Sequence, residues 1–229
     1  MLEDSVIKEI IRGTILSYKN GLSLFESAKL LYKYKSYPLS VSTCVLSIEE
    51  LGKIHVISRS IYLDENDKAA RKKWYKNKFT NHINKSGVAI YNYNFTDDMI
   101  NRDIIIEENE INSLKNAKII SKIKEIGLYV DINDEGIFYS PNELINREIA
   151  RDYLTFTEKI VSFYYKKYEI ILGVDINILV EYYKEMILLG KKYEINLISD
   201  KDSYKTGYIE KIKNFKSEAQ IIAFKYNLR

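Results

Sequence analysis

The stretch from Ser36 to His55, SYPLSVSTCVLSIEELGKIH, constrains the fold more than any other part of the chain. Ser36 is placed to begin a helix, with Pro38 in the first turn, where a missing N–H costs little. Val41, Cys44, Val45, Ile48, Gly52 and His55 follow at three- and four-residue spacings, which makes one helix face apolar. Glu49 falls at the edge of that face, and Lys53 lies one turn later. On an exposed helix such a pair adds only about 0.2–0.5 kcal/mol. Beside a packed seam it becomes a buried polar cluster, which must be fully satisfied to persist. Gly52 in mid-helix costs roughly 1 kcal/mol relative to alanine, so close approach of another helix is its expected reason. Spacing alone reads as a core helix with a salt bridge at its rim.

The rest of the chain extends this helical pattern. Residues from about Ser5 to Lys35 form a long amphipathic helix, with a main stripe from Ile7 to Tyr32 and Leu16, Leu24 and Leu31 on a second side. Asn20 lies off the stripe. The Ser36 helix runs to about Leu63, and DEND at 64–67 marks a break. Positions 68–86 are basic and read as a helix or helical turn followed by a loop, and 88–99 alternate like an extended piece. A helix from Ile100 to Ile126 is expected to stop at Gly127. A loop follows, then Ser140, Pro141 and Glu143 open a last core helix that reaches about Leu172. Asp175–Leu189 is a shorter helix ending at Gly190, 191–207 a polar linker or turn, and Tyr208–Tyr226 a closing helix. The fold expected is an all-α bundle of long antiparallel helices. Its core spans 1–172, and a helical C-terminal extension over 173–229 packs on it.

Composition narrows the function classes. At 229 residues with 46% hydrophobic content, the chain can bury a sizeable core in one generous domain. A formal charge of +3, without a dense basic block, permits contact with RNA but does not predict it. Cys44 stands alone, so no internal disulfide can form, and two scattered histidines make no structural zinc site. The first residues are acidic with no signal-type apolar region, and no stretch approaches the ~20 apolar residues of a membrane span. The expectation is a cytoplasmic protein with no membrane contact. No phosphate-binding loop, dinucleotide glycine pattern or metalloprotease histidine pair is present, so no cofactor and no metal are implied.

The segment Asn20–Lys53, NGLSLFESAKLLYKYKSYPLSVSTCVLSIEELGK, resembles the opening helical pair of the AbiV-type abortive infection proteins, a branch of the HEPN superfamily. That family has an asparagine before an amphipathic run, a short turn, and a second helix ending in Glu-Glu-Leu-Gly-Lys. Here the ending is intact as Glu49 to Lys53, and the likeness continues more loosely to about residue 170. It implies a HEPN-like bundle, a homodimer, and an anti-phage role in which host growth or translation stops on infection. A phage protein would act as activator or inhibitor. The likeness also makes Asn20 a site candidate and matches His82 with Lys85 to the family's histidine among lysines.

Many HEPN proteins are metal-independent ribonucleases with an arginine separated from a following histidine by four to six intervening residues. Histidine suits the proton transfer because its charge changes near neutral pH, and the cation steadies charge on the phosphate. His82 is preceded at those spacings by Tyr75, Lys76 and Asn77; Arg71 is eleven positions away, and Arg147 and Arg151 have no histidine after them. The standard motif is absent or heavily altered, and whether the chain is an enzyme stays open. The catalytic candidates are His82, Lys76, Arg71, Glu49 and Lys53. Lys72, Lys73, Trp74, Lys78 and Lys85 are candidates for contacting phosphates and stacking a base of RNA, or for a plain charged face. Asn20, Glu49, Glu50, Lys53 and Arg147 could instead form a structural polar cluster. His55, on the apolar side, reads as a buried histidine. The alternatives are an endoribonuclease toxin and a non-catalytic helical binding module.

Overall fold

The computed structural model describes residues 2–63, 68–94, 106–193 and 206–228. They form long helices in the order α1 (Asp4–Lys33), α2 (Tyr37–Arg59), α3 (Lys68–Thr80), α4 (His82–Asn94) and α5 (Ile106–Leu128), followed by the short α6 (Pro141–Leu144), then α7 (Arg147–Leu172), α8 (Ile176–Lys192) and α9 (Thr206–Lys225). The fold is all-α. One small antiparallel hairpin, β1 (Asp131–Ile132) with β2 (Phe138–Tyr139), sits between α5 and α6.

α2 is the axis of the bundle. It packs against α1, α4, α5 and α7, so its buried residues extend well beyond one apolar face and leave a partly exposed stripe through Leu39, Thr43, Leu46, Glu50 and Lys53. Its three buried serines, Ser40, Ser42 and Ser47, make this workable, because each is small and gives its hydroxyl to a neighbouring helix. Ser40 donates to the Ala28 carbonyl at 2.8 Å, Ser47 to Gly21 at 2.7 Å, and Ser42 to Lys124 at 2.9 Å. Each therefore meets the rule that a buried donor needs a partner. Ile48, Leu51 and Ile54 of α2 meet Tyr18, Phe25, Ile120, Ile160 and Tyr164 in the main core. A second cluster joins the start of α1 and Ile57 and Ile61 to Leu179, Val180 and Ile187 of α8, while α9 packs on α8.

Several expected boundaries move. Ser36 precedes α2 without a side-chain cap; the turn is closed instead by Lys35 in the left-handed region at φ 61°. The extended piece expected from residue 88 is helical to Asn94, because Ala89 and Ile90 enter the core at helical spacing from Lys85 and Ser86. Gly127 does not stop α5. It lies inside the helix, where a Cβ would meet Ser42 Oγ at 2.2 Å and the Pro38 carbonyl at 2.7 Å. Gly190 is likewise inside α8, under the Tyr62 ring. The last core helix is broken between α6 and α7, where Asn146 accepts from the Glu148 and Ile149 N–H groups and restarts it. The loop expected after α5 contains the hairpin. DEND at 64–67, the rest of the expected extended piece at 95–99, the helix start at 100–105 and linker residues 194–205 lie outside the described residues.

Candidate functional site: a buried carboxylate with a half-exposed histidine

The motif Glu49-Glu50-Leu51-Gly52-Lys53 divides its work by helix face. Leu51 is fully buried in the core. Gly52 is where α4 crosses α2: a Cβ there would sit 1.9 Å from the Lys85 carbonyl oxygen. Only glycine lets α4 come this close, and the approach brings the first turn of α4 level with Glu49. Glu50 and Lys53 pair with each other, both partly buried, and the Lys53 ammonium lies 5.8 Å from the centre of the Phe79 ring.

Glu49 is 2% exposed and collects donors from two further helices. Oε1 accepts from Lys124 Nζ of α5 at 2.7 Å. Oε2 lies 2.6 Å from His82 Nδ1 and 3.4 Å from Lys85 Nζ, both of α4. Burial alone would push the carboxyl up. The hydrogen bonds from Lys124 and His82, with the charges of Lys124 and Lys85, outweigh it and hold Glu49 below its ordinary value. The group is an ionised carboxylate. Lys85 shifts down as well, since burial and the nearby Lys53 charge exceed the pull of Glu49. The two directions fit one arrangement: two buried ammoniums share a single anion, and Lys85 is the more distant.

An ionised carboxylate can only accept, so His82 must donate its Nδ1–H to Glu49. The side chain of His82 is 51% exposed. Its Nε2 therefore carries the lone pair when the ring is neutral, a carboxylate-oriented imidazole able to take a proton at the surface.

The other candidates fall elsewhere. Lys53 pairs with Glu50, not Glu49. Lys85, expected to face substrate, is 4% exposed and holds the carboxylate. Arg71 lies at the far end of α3 from His82, with Nε and Nη2 buried and about 14 Å of helical rise between Arg71 and Thr80. Lys72, Lys73 and Lys76 are exposed on α3. Trp74 is half-buried, with Nε1 donating to the Val56 carbonyl at 3.0 Å and the Lys78 ammonium 5.2 Å from its ring centre, so it is no open stacking platform. Asn20 and Arg147 do not join the polar cluster: Asn20 is exposed on α1, and exposed Arg147 donates to the Tyr32 hydroxyl at 3.4 Å. His55 is buried, as expected.

Lys124 was missed, and a signal for it existed. Ser113, Ala117, Ile120, Lys124 and Gly127 recur at alternating four- and three-residue spacing, and all are buried. A lysine on an inward stripe needs an internal anion. Among the described residues no three His, Cys, Asp or Glu side chains gather closely enough to hold a metal ion, and no helix is long and apolar enough to cross a membrane.

The architecture, an all-α bundle of long helices around a central α2 that carries the Glu-Glu-Leu-Gly-Lys element, is that of a HEPN-like bundle. The family model for AbiV within HEPN matches residues 9–162, and the chain belongs to that family, which gives it a general abortive-infection role. No curated protein and no solved structure matches the chain.

Proposed function

We propose that this protein is an abortive infection effector that arrests host growth when a phage protein triggers it, and that it acts by cleaving RNA with His82 as general base. The observation that carries the reading is the 2.6 Å contact between His82 Nδ1 and the ionised Glu49, on a ring half open to solvent. Nε2 takes the proton of a ribose 2′-hydroxyl, and that oxygen attacks the adjacent phosphorus. The P–O5′ bond breaks, and the leaving oxygen receives a proton from the imidazolium or from water. The products are a 2′,3′-cyclic phosphate and a 5′-hydroxyl end. Exposed Lys72, Lys73 and Lys76 of α3 supply positive charge for the phosphate backbone, since Lys53 is already paired with Glu50. The cellular setting is the cytoplasm and the working unit a homodimer of cores spanning 1–172, each with its 173–229 extension.

A second reading, a non-catalytic binding module, draws on the missing arginine: Lys76 is exposed without arginine's planar fork, and Arg71 is turned inward. RNA integrity in cells expressing wild type and His82→Ala, with and without phage, separates the two. Cleavage with wild type and a loss of at least ~100-fold in the variant is expected. Intact RNA alongside retained growth arrest would sink the nuclease and leave the binding module.

A further inference from the structure

We propose that Lys124 is a positioning residue for His82, acting through Glu49; this rests on the reading of His82 as the base. Each oxygen of the buried carboxylate has its own donor. Lys124 holds Oε1 at 2.7 Å, and this fixes the rotamer that presents Oε2 to His82. Lys85 cannot substitute, because it reaches only Oε2, and at 3.4 Å. Without Lys124 the buried Oε1 loses the donor that it has among the described residues. The carboxyl then turns, or takes up a proton there, and the acceptor that selects the Nδ1–H form of His82 is weakened.

The seat of α5 does not depend on this side chain. The Lys124 carbonyl accepts from Ser42 Oγ at 2.9 Å, and Gly127 packs directly on Ser42 and the Pro38 carbonyl. Ala117 and Ile120 supply apolar contact on the same stripe. Charge bookkeeping also favours a clean test, since Lys124→Met leaves one buried lysine, Lys85, against one buried carboxylate. Methionine is close to lysine in volume and flexible enough to fill its channel.

The readout is the imidazole nitrogen spectrum of the full chain labelled with 15N, with Lys124→Met and Lys124→Gln compared with wild type. Only two histidines contribute, and His82→Asn assigns the signals. Wild type is expected to show neutral His82 as the Nδ1–H tautomer. Lys124→Met is expected to lose that preference and revert to the Nε2–H form usual for a free imidazole, and Lys124→Gln, which keeps an uncharged donor, to fall between. His82 keeping its wild-type tautomer in Lys124→Met overturns the proposal, and so does failure of both variants to fold, since the Ser42 anchor should hold α5. RNA cleavage is scored separately. An inactive wild type whose tautomer still depends on Lys124 removes the nuclease reading alone. Cleavage by wild type with an unmoved tautomer in the variant removes the positioning role alone.

Discussion

His82 and His55 lie on different sides of α2, and their surroundings differ in each respect that sets imidazole chemistry. His82 is half open to solvent and bonded to a carboxylate that two lysines keep ionised. His55 is buried, 5.6 Å from the Tyr164 ring in an edge-on arrangement, and its Nε2 has no hydrogen-bond partner among the described residues. Burial first, then the charges of Lys167 and Arg59, hold it well below its ordinary 6.5, so it stays neutral. One region concentrates charge around an anion, and the other strips it away. The same residue type is a candidate base in the first and a packing group in the second. The deciding factor is which neighbours each is given.

The strongest way to break this contrast is to remove the anion. Glu49→Gln leaves Lys85 and Lys124 buried without a counter-charge, and breaking a buried pair on one side costs about 3–5 kcal/mol. Urea unfolding at neutral pH measures it. A loss below about 1 kcal/mol would mean that the cluster is not coupled through the carboxylate.

Acid sharpens the comparison, because the two regions fail in different windows. The unfolded chain takes up a proton at His55 near pH 6.5 that the folded chain refuses. Stability is therefore held above 6.5 and lost below it, at about 1.4 kcal/mol per pH unit down to the folded value. Glu49, lowered from 4.5, keeps its contribution above that pH and gives it up below. His55→Phe should flatten the limb between pH 6.5 and 4.5 and leave the steeper fall beneath it. An unchanged limb in that variant would assign it to other groups.

The smallest effect belongs to the exposed carboxylates that join α8 and α9. Glu218 accepts from Lys192 at 2.6 Å and from the Tyr193 hydroxyl at 2.7 Å, geometry as short as that of Glu49, but in solvent. Glu218→Gln should move the melting temperature by no more than about 2 °C. A shift as large as that of Glu49→Gln would show that distance rather than burial sets the worth of these pairs.

Much of the bundle was legible because period and punctuation are local. The long α1 and α2 follow from their stripes, and the close approach that a mid-helix Gly52 implies is the one α4 makes. Where alternation at 88–94 suggested an extended piece, Ala89 and Ile90 follow helical spacing into the core. Gly127 and Gly190 read as helix stops because glycine usually ends a helix, whereas here each makes room for a neighbour. The candidate site was half legible: the chain offered Glu49 and His82, but assigned Lys85 to the surface and passed over Lys124.

Local pattern was enough to show that this chain is helical and that α2 carries the family's element, but it put Glu49 at the rim of a packed seam, where the structure buries it and pairs Lys53 with Glu50 instead. Tertiary structure decided which charges meet. Thirty-three residues separate Glu49 from His82, and seventy-five separate it from Lys124. Helical spacing says nothing about pairs so far apart. It was the crossing of α4 over Gly52 and the seating of α5 on Ser42 that delivered their side chains to one carboxylate, and those partners keep it ionised against the burial that the same packing imposes.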